Sequence, residues 1–315
     1  MRKGFLYQHT IEREVRCEGI GLHSGATVSM KLKPAPPDHG IRFRRVDICD
    51  HTPIIAQTHR VVDTRFATTI GFDGVVVSTI EHLMAALSVT GVDNVLVEID
   101  APEVPIFDGS AAPHVRILAE AGLRKQNAPR QSLRVSRPTI VRDGEAYIKA
   151  TPYPHFFVRY TIDFPHPLVG RQEYSWSFDK KRFGREIAGA RTFGFLREVQ
   201  YLQSMGLARG GSLDNAMVFD DHGLLNHEGF RYADECVRHK VLDLVGDLAL
   251  AGMPLLGYVE AHKAGHALHC RFLKQLAAEP DSCTVALPAS VSRPYFQPRP
   301  MPGIFDQFPP VAKVL

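Results

Sequence analysis

The order of predicted elements repeats in the two halves of the chain, and this repeat constrains the fold more than any other feature. Residues 81–122, EHLMAALSVTGVDNVLVEIDAPEVPIFDGSAAPHVRILAEAG, have the pattern helix, glycine, strand, loop, helix. Residues 238–278, RHKVLDLVGDLALAGMPLLGYVEAHKAGHALHCRFLKQLAA, have the same order. Matched units of this kind predict an α+β fold with two similar domains, each layering helices on a sheet. We expect their equivalent helices to meet at a common interface.

Strands precede the helices in each half. TVSMKLKP, IRFRRV and FFVRYTIDF have extended patterns, and DG turns predict hairpins at Asp73-Gly74 and Asp143-Gly144. The polar, Pro-containing segment 124–132 predicts a linker. We therefore expect an N-terminal domain over residues 1–128, a C-terminal domain over 129–285 and a Pro-rich tail over 286–315, irregular or disordered from Pro288.

Composition narrows the class of partner. The 315 residues include 37 basic and 34 acidic side chains, a net charge of +3, and no block of five basic residues, so nucleic acid is not expected as a partner. A small-molecule substrate is expected instead. The most apolar stretch, residues 241–259, contains Asp243 and Asp247, and one central Asp costs about 2.5–3.5 kcal/mol in membrane insertion. We therefore predict no transmembrane helix, and the oligomeric state stays open.

Cysteine usage and the N-terminus predict a cytoplasmic protein. The five cysteines form no CxxC pair, which suits unpaired thiols in a reducing compartment. The early apolar run GFLY is too short for the apolar core of a signal peptide.

The segment STIEHLMAAL places a glutamate beside a histidine near the start of a helix. One face of this helix carries the apolar stripe Ile80, Leu83, Met84 and Leu87. His82 points away from that stripe, between small alanines that permit close approach. Glu81 has two interpretations here, because Ser78-x-x-Glu81 is also a capping box in which the carboxylate would close back on the Ser78 amide. A lone helical histidine is likewise more often a satisfied core residue than a ligand.

The second repeated helix favours a metal site. DECVRHKVLDLVGDLAL has a narrow polar sector, which holds His239, Lys240, Asp243 and Asp247. Two aspartates one turn apart repel each other, and a cation relieves that repulsion. His239 and Asp243 at i, i+4 suit zinc (Zn²⁺), with His82 of the equivalent helix as a third ligand. Three ligands leave a fourth position for water, and Glu81 would then be the general base.

A further histidine, His266, lies in AHKAGHAL, where a glycine loop leads from a strand into a helix. Loops after strands present side chains to clefts, so His266 is a candidate. His262 and His269 nearby could equally be surface residues.

Six motifs, in chain order, resemble one enzyme family, the zinc-dependent UDP-3-O-acyl-N-acetylglucosamine deacetylases of Gram-negative lipid A biosynthesis. The motifs are STIEHLMAAL, DGSAAP, ARTFGF, GGSLDNAMVFDD, VRHKVLDLVGDL and KAGHAL, and the match runs to about residue 280. The resemblance implies a two-domain α+β fold with the metal between the domains. It also implies hydrolysis of the N-acetyl group of UDP-3-O-(3-hydroxyacyl)-N-acetylglucosamine with release of acetate, the committed step of lipid A synthesis.

The resemblance implies catalytic roles as well. Its zinc ligands are His82, His239 and Asp243, and its general base toward the attacking water is Glu81. The resemblance implies three further roles: His266 protonates the leaving amine, Asp247 orients His266, and Thr192 donates its hydroxyl to the oxyanion.

Substrate contacts follow from the same resemblance. Lys240 would contact the sugar, and Phe193 and Phe195, with neighbouring apolar positions of GFLREVQYLQSMGL, would line a passage for the acyl chain. Each buried methylene of that chain contributes about 0.8 kcal/mol. Phe164 and Lys263 match positions near the nucleotide. Ordinary core packing is the alternative for the two passage phenylalanines.

This chain departs from the family pattern in two places. The family usually reads GHALNN where this chain has GHALHC, residues 265–270, so this chain lacks the two amide side chains of the family pattern. Cys236 stands where an apolar residue is expected, three residues before His239. The competing interpretation is therefore a non-catalytic nucleotide-sugar binder whose structural zinc is closed by Cys236. We predict that Cys236 is not a required ligand.

Overall fold

The structure is a computed structural model that describes residues 6–279 and 281–287. Its helices are α1 (Glu81–Thr90), α2 (Ala112–Ala121), α3 (Lys180–Glu186), α4 (Leu196–Ser204), α5 (Glu235–Leu248) and α6 (His266–Ala278), with short 3-10 turns at Thr58–Arg60 and Ala249–Ala251. The strands of the first half are β1 (Tyr7–Ile11), β2 (Val15–Ile20), β3 (Thr27–Pro34), β4 (Ile41–Arg45), β5 (Ile54–Ile55), β6 (Val61–Asp63), β7 (Thr69–Phe72), β8 (Val75–Val77), β9 (Val95–Ile99) and β10 (Leu123–Pro129). Those of the second half are β11 (Ser132–Val135), β12 (Thr139–Asp143), β13 (Ala146–Thr151), β14 (Phe156–Phe164), β15 (Gly170–Ser177), β16 (Phe193–Phe195), β17 (Met217–Phe219), β18 (Leu255–His262) and β19 (Cys283–Ala286).

The repeated order of elements is confirmed, and each repeat adds an interior strand to a sheet. In the first half, β9 follows α1 and lies between β3 and β4 in the five-stranded order β2-β3-β9-β4-β5. Val97 of β9 lies opposite Leu32 and Phe43, and all three are fully buried. In the second half, β18 follows α5 and pairs with β13, β11 and β14 in a seven-stranded sheet. The α+β class expected from the sequence is confirmed.

The equivalent helices α1 and α5 pack directly on each other, as predicted. Gly246 makes this close approach possible, because a Cβ atom there would lie 2.0 Å from the carbonyl oxygen of Glu81. Nothing larger than glycine fits at that point without moving one helix. Ala85 and Ala86 are also fully buried on α1. The packing brings the start of α1 against the C-terminal half of α5.

Both predicted hairpins form, with one shift in register. Phe72 pairs with Val75, so Asp73 and Gly74 are the two turn residues, both with positive φ as a type I′ turn requires. In the second hairpin Asp143 pairs with Ala146. The turn there consists of residues 144 and 145, one residue later than predicted.

The predicted linker is wrong over most of its length, because residues 123–129 form β10, which pairs with β1. Its inward positions are Gln126 and Ala128 rather than large apolar residues. The buried Gln126 amide donates to the Ala35 carbonyl at 2.8 Å and accepts from Asn94 at 2.7 Å. These hydrogen bonds let a polar sequence fill an interior strand position. The proposed division at residue 128 therefore falls near the end of a strand.

The Pro-rich tail predicted from Pro288 lies outside the described residues. Among the described helices, none combines the length and apolar character that spanning a bilayer requires.

Candidate active site

Glu81 and His82 open α1 and are both buried. The capping-box interpretation is wrong: Ile80 is the N-cap, and the Ser78 amide donates to the Pro102 carbonyl at 2.8 Å. The Glu81 carboxylate instead accepts from the Thr68 amide, with Oε2 at 3.1 Å. Burial raises the pKa of Glu81, although the nearby positive charge of His266 opposes this. Glu81 is therefore a buried carboxylate that faces other titratable groups and has no capping role.

The three predicted ligands converge across the α1–α5 contact. Nε2 of His82 lies 3.5 Å from Oδ1 of Asp243, and Nε2 of His239 lies 3.3 Å from the same oxygen. The three side chains are almost fully buried, and their candidate ligand atoms all lie within 4.8 Å of one another. We call His82, His239 and Asp243 the ligand cluster.

The spacing of the ligand cluster fits a tetrahedral metal. Zinc bonds of 2.0–2.2 Å place neighbouring ligand atoms about 3.4 Å apart, close to the separations of 3.3 and 3.5 Å. Oδ1 of Asp243 is buried and has no hydrogen-bond partner in the described residues, an arrangement that a bound cation would relieve. Nδ1 of His239 donates to the Ala190 carbonyl at 3.0 Å, so Nε2 turns its lone pair toward Asp243. Burial also lowers the pKa of His239 to about 3, which keeps its imidazole neutral.

Cys236 lies apart from the ligand cluster. It is fully buried in the hydrophobic core, and in the described part of the chain it does not join the group of close ligand atoms around Asp243. Burial, with Glu235 beside it, raises the pKa of the thiol to about 12, so the metal-binding thiolate form is disfavoured. This geometry gives no support to Cys236 as a fourth ligand.

A second set of polar side chains surrounds Asp247, one turn further along α5. Oδ2 accepts from Nδ1 of His266 at 2.7 Å and from Nδ1 of His269 at 2.8 Å, and Oδ1 accepts from the Thr68 hydroxyl at 2.6 Å. We call Thr68, Asp247, His266 and His269 the aspartate cluster. Its contacts are at hydrogen-bond distances, well under the separation of metal ligands around zinc. Every Asp247 oxygen is satisfied without an ion.

The aspartate cluster reaches Glu81 through His266. Nε2 of His266 lies 3.9 Å from Oε1 of Glu81, on the side of the ring opposite Asp247. Burial by itself lowers the pKa of His266, but the Asp247 carboxylate outweighs burial and raises it to about 9. Burial likewise acts to raise the pKa of Asp247, yet His266 holds it below its ordinary value. The result is a partly buried acid beside a buried base, the arrangement that general acid–base chemistry needs.

An aromatic cluster lies next to the ligand cluster. Its rings are in edge or tilted contact, with centroids 5.5 Å apart for Phe164 and Phe193, 5.6 Å for Phe164 and Phe195, and 5.9 Å for Phe195 and Phe219. Phe193 also faces His239 at 6.4 Å. Phe193 and Phe195, in β16, are only partly buried, so they offer apolar surface beside the polar residues. Helix α4, which follows β16, has no buried residue.

Three of the quoted motifs meet at Gly109 of DGSAAP. A Cβ atom there would lie 2.0 Å from the Asn215 carbonyl oxygen, and φ is +80°. The Gly109 carbonyl accepts from the Thr192 amide at 2.7 Å, and the Thr192 carbonyl accepts from the Met217 amide at 2.8 Å. These bonds fix Thr192 immediately before β16 and the aromatic cluster.

The two predicted substrate lysines have carboxylate partners within the chain. Nζ of Lys240 lies 2.7 Å from Oδ2 of Asp243, beside the orphaned Oδ1, and 5.7 Å from the Phe193 ring centroid. Lys263 follows β18 and pairs with Glu145 at 3.1 Å and Asp163 at 3.2 Å. Lys240 thus lies between the ligand and aromatic clusters.

Sequence reasoning missed Thr68 and misjudged His269. Thr68 is 179 residues from its Asp247 partner, and no local pattern marks it. His269 was expected as a possible surface residue, but it is fully buried against Asp247. Helical spacing could have found it, because His266 and His269 are three apart and share one face of α6. His262 stacks on Tyr147 instead, with ring centroids 5.4 Å apart.

Comparison with known proteins identifies the family of the chain. A sequence model of the family described as UDP-3-O-acyl N-acetylglycosamine deacetylase matches residues 8–278. The chain is 48% identical over 289 residues to a UDP-3-O-acyl-N-acetylglucosamine deacetylase of Myxococcus xanthus, covering 92% of each chain. It is 52% identical over 270 residues to the protein of that name from Nitratidesulfovibrio vulgaris, covering 85% of this chain and 87% of the relative. The chain therefore belongs to the UDP-3-O-acyl N-acetylglycosamine deacetylase family.

Proposed function

We propose that this protein is a zinc-dependent amidohydrolase that removes the N-acetyl group of UDP-3-O-(3-hydroxyacyl)-N-acetylglucosamine and releases acetate, the committed step of lipid A biosynthesis. Family membership and the names of the relatives support the reaction and substrate. One structural observation carries the proposal: Oδ1 of Asp243 is buried without a hydrogen-bond partner in the described residues and faces Nε2 of His82 and of His239. The helices that hold these three residues also carry the Glu81 and Asp247 carboxylates.

His82, His239 and Asp243 would hold the metal. The two-histidine, one-carboxylate donor set suits zinc, and three protein ligands leave a position open for catalysis. A zinc ion bound there supplies Lewis-acid activation of water and of the amide carbonyl. The His239 ring is oriented for this task by its bond to the Ala190 carbonyl.

Glu81 acts as the general base. Its Oε2 is anchored by the Thr68 amide, which leaves Oε1 to accept the proton of the attacking water. Burial raises the pKa of this carboxyl, which makes it a stronger proton acceptor than an exposed glutamate. Its neighbour in sequence is the candidate ligand His82, so a metal held by the ligand cluster would bring an activated water near this base.

His266 acts as the general acid for the leaving amine. Nδ1 is engaged by Asp247, so the proton available for transfer is on Nε2, the atom that faces Glu81. A pKa of about 9 keeps this ring protonated at neutral pH. Asp247 is the orienting partner of His266, and Thr68 in turn holds Asp247. Thr192 donates its hydroxyl to the oxyanion that develops on the amide carbonyl.

Substrate binding uses the surfaces next to these groups. Lys240 exchanges part of its contact with Asp243 for the sugar, while Phe193 and Phe195 of the aromatic cluster line the acyl passage. Phe164 and Lys263 contact the nucleotide side.

The chain divides into domains 1–128 and 129–285 with the metal between them. A UDP-sugar substrate and five unpaired cysteines favour a cytoplasmic location.

The direct test is acetate release. Zinc-loaded protein is incubated with UDP-3-O-(3-hydroxymyristoyl)-N-acetylglucosamine, and acetate and the free amine product are measured together. Zinc-loaded Glu81→Gln serves as the matched control, since it keeps the shape of the side chain. Stoichiometric zinc binding without acetate release by the unmodified protein would contradict the proposal.

A further inference from the structure

His269 of the aspartate cluster contacts Asp247 from helix α6. Its ring is fully buried, and Nδ1 donates to Oδ2 of Asp247 at 2.8 Å, the same oxygen that binds Nδ1 of His266 at 2.7 Å. Asp247 therefore has one imidazole on each side of a single oxygen. Nothing in the proposed reaction uses His269 directly.

Tyr160 packs in an edge contact against the other end of the His269 ring, with ring centroids 6.2 Å apart. Its hydroxyl lies 3.3 Å from Nε2 of His269 and donates to the Ala264 carbonyl at 2.7 Å. Ala264 lies two residues before His266, in the turn that starts α6. Tyr160 belongs to β14 and is itself fully buried. The hydroxyl thus links a sheet strand to the backbone next to the general acid, while the Tyr160 ring packs against His269.

The two imidazoles carry different charge. Burial lowers the pKa of His269 despite its contact with Asp247, so His269 is a neutral donor. His266, on the same oxygen, is the protonated ring. The charged or titratable groups around this pair are Asp247, Glu81, Asp243 and Tyr160. A neutral donor stabilises the Asp247 anion without placing a second positive charge beside His266.

We infer that His269, packed against Tyr160, is a positioning residue for the general acid: its Nδ1–H bond orients the Asp247 carboxylate and shares its negative charge with His266. The inference rests on the proposed function, because it assigns His266 the acid role. If Nδ1 is removed, Asp247 keeps only His266 and Thr68 as donors. The carboxylate then becomes more basic and binds the His266 proton more tightly.

The test uses His269→Leu and His269→Asn in the zinc-loaded full chain. For His269→Leu we expect kcat to fall about tenfold with KM unchanged, as is typical for loss of an outer hydrogen-bond partner, and the pKa of His266 to rise. His269→Asn can donate from its amide, so it should restore most of kcat and of the titration. Leu276→Ala, a buried change at the far end of the same helix, is the matched control and should leave the His266 titration unchanged.

Histidine NMR of the unmodified zinc protein separates this inference from the proposed function. The spectrum should show His269 neutral with its proton on Nδ1, and it measures the His266 titration without any turnover. A proton on Nε2 of His269 would overturn the inference even if acetate is released. An unchanged or lowered His266 pKa in folded His269→Leu would also overturn it. Absence of acetate release by the unmodified protein, with the expected histidine signals, would overturn only the proposed function.

Discussion

The ligand cluster and the aspartate cluster each contain a buried aspartate of α5, and the two aspartates lie one helical turn apart. They differ in how their carboxylate oxygens are hydrogen-bonded. Asp247 has all its oxygens hydrogen-bonded, to a hydroxyl and two imidazoles. Asp243 has Lys240 on one oxygen, but Oδ1 has no hydrogen-bond partner in the described residues and faces two imidazole nitrogens at 3.3 and 3.5 Å. Asp243 and Asp247 are both about 2% exposed, so solvent exposure does not explain the difference in their hydrogen bonding.

The difference separates metal binding from proton transfer. An oxygen that already accepts good hydrogen bonds gains little from an ion, whereas an orphaned buried oxygen is destabilising until a cation binds. The imidazole nitrogens near Asp243 lie as far from its Oδ1 as two ligand atoms of one zinc ion lie from each other. The imidazole nitrogens near Asp247 lie at hydrogen-bond distance from its Oδ2. Neighbouring aspartates on one helix therefore have distinct tasks, and their repulsion is relieved by separate partners.

The largest effect should come from Asp243→Ala. Loss of the central carboxylate removes one of three ligands, so bound zinc should fall from stoichiometric to trace and acetate release should fall to that of the metal-free protein. Metal analysis after gel filtration measures the first quantity. Asp247→Asn is the control from the other cluster and should keep its zinc. Equal zinc loss in both variants would erase the distinction between the clusters.

Glu81→Gln should come next, with a loss in kcat of about 10²–10⁴-fold, the usual worth of a general base. The amide cannot accept the proton of water, but it preserves the size of the side chain and should leave zinc bound. Steady-state kinetics with zinc content measured in the same sample checks both points. A loss of zinc that matches the loss of activity would assign Glu81 to the ligand cluster instead.

Asp247→Asn should change the pH dependence. The activity profile should be bell-shaped, with Glu81 ionised and His266 protonated in the active form. Without the carboxylate, the pKa of His266 should fall from about 9, moving the basic limb to lower pH. The ion pair of His266 and Asp247 also affects stability. Because the pKa of His266 in the folded protein is raised above its ordinary value of 6.5, the contribution of the pair to the free energy of unfolding is full below pH 6.5 and is lost as pH rises through about 9.

Zinc content has to be checked at each pH, since ligand histidines also bind protons. A basic limb that survives unchanged in zinc-replete His266→Ala would remove His266 from the acid role.

Phe193→Ala should have a smaller effect that depends on acyl length. If the ring lines the acyl passage, loss of contact with about three methylenes costs about 2 kcal/mol, or roughly 30-fold in kcat/KM, for a long chain and little for a short one. The pH profile should not move, because Phe193 lies beside the ligand cluster and not the aspartate cluster. Phe183→Ala, a buried aromatic of α3, is the control. Equal losses for both chain lengths in Phe193→Ala would indicate core damage.

Cys236→Ala should have the smallest effect. The side chain is buried and distinct from the ligand cluster, so zinc content and kcat should stay near those of the unmodified protein while the unfolding temperature drops slightly. Loss of zinc from folded Cys236→Ala would favour a closed structural site and would weaken the contrast between the clusters.

Much of the candidate site could be predicted because its spacing is local. His239 and Asp243 share a face of α5 through helical periodicity, and the repeat of elements predicts that α1 brings His82 to them. Thr68 and His269 were harder to predict from the sequence. Thr68 depends on a contact 179 residues away, and a histidine in an amphipathic helix is equally compatible with the surface and the interior. The linker prediction failed because Gln126 is satisfied by side-chain and backbone partners distant in sequence.

The sequence by itself determined the α+β class, the repeated unit, the family and the chemical types of the candidate ligands, because periodicity and motif order are properties of neighbouring residues. Only the tertiary structure decided which polar atoms are satisfied. The close contact at Gly246 sets how near α1 lies to α5, and with it the distances around Asp243 Oδ1. Hydrogen-bond satisfaction in a buried site depends on packing between distant segments, so two aspartates with similar local sequence acquired different partners.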